Sequence, residues 1–322
     1  MEYRKKLIVL GSLAAFLFLV FVLSIIFDPA RRNIRNERFT WISSASRDQA
    51  DRIEIFQRGE RIELFLRGGQ WFVLDGILEI PARQGRIDDL FRLISTHGAF
   101  PRRGSNASSH GELGLDGSTR LVIRGGAGFP ILDLLVGVED PSGTEVFLRR
   151  SGENEFRSGD RLIGTYVNSA RVSWCNLNFF ENMNVSQVQR MHVSFFDYHG
   201  TGFETEDVNF TDYTISRSGE NWLMGSEILD SVRTENWIRR VLEAAGENYL
   251  PIDMDISTSI PSIAAIRAEL GDGSFLEIKI SAADEDDNST VELSGLSYLI
   301  VISQWTRTQL LRNREHFFET AQ

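Results

Sequence analysis

The chain has 322 residues, 42% of them hydrophobic and 25% charged, with seven prolines, one cysteine and a net charge of −11. That length gives room for about two domains of ~150 residues each, and so few prolines argue against a long disordered region. The acidic balance argues against nucleic-acid binding, because phosphate affinity comes from clustered Lys and Arg, and a lone Cys175 can form neither an internal disulfide nor a zinc site by itself.

Charge and hydropathy are uneven along the chain. Residues 1–38 carry seven basic and three acidic side chains, a net +4, which leaves −15 for the remainder. From Leu7 to Phe27 there is no charged residue over 21 positions, and roughly 20 apolar residues suffice for a helix to cross a bilayer core. No small-x-small cleavage site follows it, so the stretch reads as an uncleaved signal anchor. The expectation is a single-pass protein of the cytoplasmic membrane, meeting the lipid bilayer through Leu7 to Phe27. The basic residues before the stretch place the N-terminus inside and the body on the extracytoplasmic side. Residues 1–38 would then be anchor and stalk.

The body begins with three short alternating stretches, 51–57, 61–66 and 70–74, joined at Gly59 and at Gly68-Gly69. Period-2 alternation with glycine turns predicts an antiparallel meander. The period then changes: Ile87, Leu90, Phe91 and Ile94 fall at i, i+3, i+4 and i+7, one face of a helix, with Asp88 and Asp89 near its start and Gly98 at its end. Strand patterns return at 121–123, 131–136 and 145–148, and a fourth strand is expected at 161–166.

The same order then recurs. Residues 189–195 correspond to 51–57, and the turn into the Trp222 strand at 217–224 corresponds to 67–74 with its Trp71. Trp237, Ile238, Val241, Leu242 and Ala245 match the first helix, and 264–270, 274–280, 290–293 and 298–302 match the second meander. This predicts an α+β fold in which an N-terminal transmembrane helix precedes two related antiparallel-sheet domains, a tandem duplication with one main helix in each. The domains are 39–172 and 173–322, and a closing helix at 305–317 has no counterpart in the first copy.

At the junction, Ser173-Trp174-Cys175-Asn176-Leu177-Asn178-Phe179-Phe180 leads into Val185, Val188 and Met191. This resembles the linker of the bacterial domain-of-unknown-function family 4340. Glu112-Leu113-Gly114-Leu115-Asp116 is similar to that family's turn, with Glu112-Leu113 in place of the usual aromatic. The sequence from Leu135-Val136-Gly137 to Gly143-Thr144-Glu145-Val146-Phe147-Leu148-Arg149 is similar to its hairpin. The resemblance implies a membrane-anchored protein encoded beside ABC-type transporter components, including those of gliding-motility type. It carries over no catalytic residue.

Candidate chemistry is sparse. Gly125-Gly126-Ala127-Gly128 lacks the Gly-Lys-Ser/Thr and following helix of a phosphate loop, and reads as a hairpin turn. Asp284-Glu285-Asp286-Asp287 lacks calcium-loop spacing and reads as a solvated hairpin tip. His97, His110, His192, His199 and His316 show no metal-binding spacing, and Trp71 and Trp222 read as core plugs. Asp253 and Asp255 would share one face of a strand and are the one candidate acid pair. Cys175 reads as a small buried hydrophobe.

The expectation is a non-enzymatic accessory or scaffold protein acting with ABC-type transporter subunits at the cell envelope. It has no catalytic, cofactor or metal residues and no nucleic-acid partner. Two alternatives stand beside it: an envelope module binding a peptide or glycan between the repeats, and an envelope hydrolase using Asp253 and Asp255.

Overall fold

The computed structural model describes residues 16–21, 39–180, 183–198, 208–252 and 261–318. They form two antiparallel nine-stranded sheets with few helices, an α+β arrangement that is mostly β and fits a two-domain chain. The first half contains β1 (Ala50–Gln57), β2 (Glu60–Arg67), β3 (Gln70–Asp75), β4 (Leu78–Pro81), α1 (Gln84–Ser95), β5 (Arg102–Gly104), β6 (Arg120–Gly125), β7 (Phe129–Glu139), β8 (Glu145–Arg150), β9 (Phe156–Asp160) and α2 (Arg161–Val167). The second contains β10 (Val188–Tyr198), β11 (Val208–Ser218), β12 (Asn221–Met224), β13 (Glu227–Ile228), α3 (Ser231–Glu243), β14 (Asn248–Pro251), β15 (Ser262–Leu270), β16 (Phe275–Ser281), β17 (Ser289–Leu293), β18 (Tyr298–Ile302) and α4 (Gln304–Leu310).

The first sheet runs β4-β3-β2-β1-β6-β7-β8-β9-β5 and the second β13-β12-β11-β10-β15-β16-β17-β18-β14, which is the same order position for position. The irregularities match too. A β-bulge interrupts β1 against β6 between Ala50 and Arg52, and another interrupts β10 against β15 between Val188 and Arg190.

Alternation fixes which face is buried. Ile53 and Ile55 on β1, Ile62 and Leu64 on β2, and Leu121 and Ile123 on β6 are fully buried, as are Ile87 and Leu90 of α1. In the second half Met191, Val193, Ile215, Ile266, Ile278 and Ile280 take that role beside Trp237, Ile238 and Val241 of α3. Asp230 caps α3 by accepting from the Arg233 N–H at 3.0 Å. After that helix Gly246 is required by close approach, since a Cβ there would overlap the Ile300 side chain and lie 2.9 Å from the Val301 carbonyl.

The described residues divide into two compact units. The first runs to Trp71 and resumes over Gln84–Ser169, and the second holds Phe72–Arg83 and the chain from Ala170 onward. The β3–β4 hairpin thus ends the strand order of the first sheet, while Phe72–Arg83 belongs to the second unit.

Three expectations are corrected. Among the described residues no helix is long and apolar enough to cross a membrane, so the membrane, transmembrane and signal-anchor reading does not hold for them. Of Leu7 to Phe27 only residues 16–21 are described, as an exposed helical piece. At 1.5 Å per residue it spans about 9 Å of a ~30 Å core. The rest of that stretch and the stalk to residue 38 lie outside the described residues.

Residues 161–166 are helix rather than strand. Asp160 caps α2 by accepting from the Leu162 N–H at 2.8 Å, and Ile163, Gly164 and Val167 are buried at helical spacing. The ninth strand is supplied by Phe156–Asp160 instead.

The closing helix is not peculiar to the second half. There α4 ends at Leu310 and a 3₁₀ turn, Arg314–Phe317, follows; in the first half α2 is likewise followed by the 3₁₀ turn Arg171–Trp174. Each half therefore has a short helix after its last strand in sequence, β9 or β18. Each turn delivers a fully buried aromatic, Trp174 or Phe317. The Trp174 carbonyl accepts from the Arg83 N–H at 2.8 Å, and the Phe317 carbonyl accepts from the Asp230 N–H at 2.9 Å.

Phe317 lies with its ring 5.1 Å from Trp237 and 5.6 Å from Tyr213. Truncation to alanine leaves a large cavity, so Phe317→Ala should cost about 3–5 kcal/mol, read from urea denaturation of the full chain. A loss below about 1 kcal/mol would contradict its role as the closing plug.

Candidate functional site

Two polar constellations emerge from the fold. The first lies on the outer face of the first sheet. Antiparallel register sets Glu54 of β1 opposite Glu63 of β2 on one side and Val122 of β6 on the other. Like charges directly opposed are destabilising, and arginines resolve the conflict. Arg61 pairs with both Glu54 and Glu63, Arg52 with Glu63 at 3.0 Å, and Arg124 with Glu54 at 3.0 Å. Phe56 lies between the guanidinium groups of Arg61 and Arg120, and Arg120 pairs with Asp133.

Glu54 is only 5% exposed. Burial pushes its pKa up, but hydrogen bonds and charge from Arg124 and then Arg61 outweigh that, so the net shift is downward. Across the second sheet the matching position is His192, which meets Thr214 Oγ1 at 3.1 Å and Asp212 at 3.6 Å.

The second constellation lies within the second unit, around the junction segment. Trp174, Cys175, Leu177, Phe179 and Phe180 are buried. The Asn176 N–H donates to the Pro81 carbonyl at 2.7 Å, and Arg83 Nε donates to the Cys175 carbonyl at 2.7 Å. Further along, the Phe179 N–H donates to the Ala244 carbonyl at 3.1 Å and the Gly246 N–H to the Leu177 carbonyl at 3.0 Å. The segment is thus tied to hairpin residues at one end and to the chain after α3 at the other. Beside it the Asp75 carboxylate accepts from Arg171 and from the Tyr249 hydroxyl at 2.8 Å. Burial, then the bond to Asp75, pushes the Tyr249 hydroxyl pKa up. Burial pushes the Cys175 thiol up to about 12. A protonated thiol and a protonated phenol bound to a carboxylate fasten the segment and supply no activated nucleophile.

The sites expected from sequence fall as follows. Gly126–Gly128 turns β6 into β7, with Ala127 and Gly128 at φ 58° and 78°. Asp284 is a loop staple, accepting from the N–H groups of Asp286 and Asn288 at 2.9 Å each. Asp140, in the matching β7–β8 loop, accepts from Ser142 Oγ at 2.5 Å and from the Glu145 N–H at 2.9 Å. Those bonds, that from Ser142 first, hold its pKa down at about 2.

Trp71 and Trp222 are buried, Trp71 with its ring 6.3 Å from Phe91. His110 faces the Asn154 carbonyl at 3.0 Å, and burial, then Arg312, pushes the His316 pKa down. No group of three His, Cys, Asp or Glu suited to a metal occurs among the described residues. Asp253, Asp255 and His199 lie outside the described residues.

Sequence reasoning singled out the junction segment but missed the ion-pair network around Glu54 and the meeting of Asp75 with Arg171 and Tyr249. Asp75 is 96 residues from Arg171 and 174 from Tyr249, and no local pattern announces such a meeting.

No protein-family model and no curated protein matches the chain. Among solved structures, a thioesterase-like protein from Clostridium sporogenes aligns at 15% identity and a TM-score of 0.22, covering 43% of this chain and 100% of that one. At that level it carries no argument about fold or activity.

Two outcomes follow from the geometry. A carboxylate whose folded pKa lies below its unfolded value adds stability that is present above the unfolded value. That stability is lost as pH falls through the folded value. Urea midpoints of the full chain should therefore decline as pH drops below the ordinary 4.5 of a Glu, and Glu54→Gln should flatten part of that decline. An unchanged pH profile would contradict the ion-pair account. Cys175 in the folded chain should resist a thiol-specific reagent at pH 8 and react fully once denatured; rapid native labelling would contradict its burial.

Proposed function

We propose that this protein is a non-enzymatic scaffold, a tandem duplication of one nine-stranded unit, that binds protein components of an ABC-type transport system. The observation that carries the scaffold reading is the matched strand order of the two sheets, combined with the use made of their polar groups. Glu54, Glu63, Asp133, Asp75, Asp140 and Asp284 all serve cross-strand pairs, the junction or loop staples. Paired carboxylates of that kind stabilise a rigid surface rather than react. The transport partner rests on the family resemblance of the junction, the Glu112–Asp116 turn and the 135–149 hairpin.

The test is recovery of the tagged full-length chain from its own cells after light crosslinking. Permease or ATPase subunits of a transporter should come with it. Recovery of the chain alone, or with envelope polymers only, would overturn the transport reading and favour a ligand-binding module.

A further inference from the structure

The helices of the two halves correspond residue by residue. Ile87, Leu90, Phe91 and Ile94 of α1 are buried at the same spacing as Thr234, Trp237, Ile238 and Val241 of α3. Asp160 caps α2 and Ser303 caps α4, and both helices have seven residues. On this register Asp89 corresponds to Asn236, Arg92 to Arg239, Leu93 to Arg240, Tyr166 to Gln309 and Ser169 to Arg312.

In the first half these positions balance their own charge. Asp89 accepts from Arg92 at 2.8 Å and from the Tyr166 hydroxyl at 3.4 Å, and Leu93 is buried. In the second half the carboxylate is gone and two guanidinium groups are added. Arg239 donates to the neutral Asn236 Oδ1 at 2.9 Å, and Arg240 and Arg312 converge on the neutral Gln309 Oε1 at 3.1 and 2.7 Å. No carboxylate among the described residues pairs with Arg240 or Arg312, and Arg312 Nε is buried without a partner. Burial, then the charges of Arg312, Arg233 and Arg240, pushes the His316 pKa down, which sets three guanidinium groups within electrostatic reach of one imidazole. Arg233 has its own partners in Asp230 at 3.5 Å and the Phe318 carbonyl at 3.0 Å.

Like charges gathered at one place repel, and a chain of net charge −11 has carboxylates in excess with which to pair them. The second half instead faces Arg240 and Arg312 with a neutral amide, and the first half shows that the fold does not require either arginine. A local concentration of positive charge attracts anions, and guanidinium groups bind phosphate oxygens through paired, charge-assisted hydrogen bonds. A compact dianion suits two converging cations better than a single carboxylate does. We propose that Arg240, Arg312 and His316 form a binding site for a phosphate group, with Gln309 positioning the two guanidinium groups. The site goes beyond the scaffold reading and does not depend on it.

The test titrates the full-length chain by calorimetry with inorganic phosphate and, separately, with glycerol phosphate, each at constant ionic strength. One phosphate group should bind per chain. Tighter binding of the ester would identify a phosphate carried on a larger molecule as the natural ligand, and tighter binding of inorganic phosphate the free ion. Bound phosphate should raise the urea midpoint above that in sodium chloride of equal ionic strength, and should move the His316 pKa, read by NMR, back up. Arg240→Gln and Arg312→Gln should each weaken binding about tenfold or more. Arg92→Gln, at the position in the first half that matches Arg239, should leave it unchanged. Gln309→Glu places a carboxylate between the two arginines, so it should abolish binding while raising the urea midpoint in phosphate-free buffer.

Gln309→Glu keeps the test decisive if an arginine variant fails to fold, because its loss of binding comes with a gain in stability. The proposal is overturned if neither phosphate compound binds, if sodium chloride of equal ionic strength stabilises the chain as much as phosphate does, or if Gln309→Glu binds phosphate as well as the parent chain. Binding that Arg92→Gln weakens as much as Arg240→Gln would show general charge attraction rather than a site, and would overturn it too.

Discussion

A nine-stranded antiparallel sheet covered on one side by a helix has one constraint that governs the rest: its side chains alternate. Every residue that sends Ile53 or Ile55 into the core sends a neighbour, Arg52 or Glu54, to the other face. A one-residue slip would exchange the two sets. The outer face must therefore accommodate charge at close quarters, with strands only about 4.8 Å apart. Glu54 opposite Glu63 would repel if left alone, and Arg61 bridging both, with Arg124 and Arg52 behind, turns repulsion into a network. Planar guanidinium groups suit this task because each offers several donors in one plane and can also lie over an aromatic ring, as Arg61 and Arg120 do with Phe56. The sequence uses arginine almost alone for its positive charge, with lysine only at Lys5, Lys6 and Lys279.

The same constraint explains what could be read in advance. Period-2 alternation at 51–57 and 189–195 located β1 and β10, and glycine turns located the hairpins. The 3.6-residue spacing of Ile87, Leu90, Phe91 and Ile94 located α1. The recurrence of that sequence of patterns anticipated two sheets whose strand orders prove identical. Short segments failed where two periods agree. Residues 161–167 place Ile163, Gly164 and Val167 inside, and an apolar stretch of seven residues fits a strand as readily as two helical turns. The cap at Asp160 decides the matter, and a cap is recognised only once the preceding strand is known to end there. The closing helix expected at 305–317 is present as α4, though the pattern merged it with the 3₁₀ turn beyond it, and its counterpart in the first half, α2, is the segment that read as a strand.

The polar constellations were illegible for a different reason. Local periodicity reports which face a residue takes, not which residue it meets. Asp75, Arg171 and Tyr249 converge through chain topology alone, and Glu54 reaches Arg124 only because β6 lies beside β1 after four intervening strands and a helix. The junction was noticed in sequence for its run of aromatic and polar residues. Its physical basis is that both its backbone and its side chains are used: buried rings on one hand, and hydrogen bonds to Pro81, Arg83, Ala244 and Gly246 on the other. A buried backbone segment without such partners would be costly, which is why a linker so apolar must also be so fully bonded.

Matched sheets in one chain also allow a comparison that a single domain does not. Where both halves need the same device, they keep it: the bulge after Ala50 and after Val188, the loop staples Asp140 and Asp284, and the closing aromatics Trp174 and Phe317. These positions answer to the fold. Where the halves part, the fold imposes no such requirement, because the other half stands without the feature. The charged network around Glu54 becomes His192 with Thr214, and the short β12–β13 turn becomes the extended hairpin that carries Asp75 and Ile77. Departures of this kind, fastened by their own bonds rather than left loose, are not demanded by the sheet that carries them.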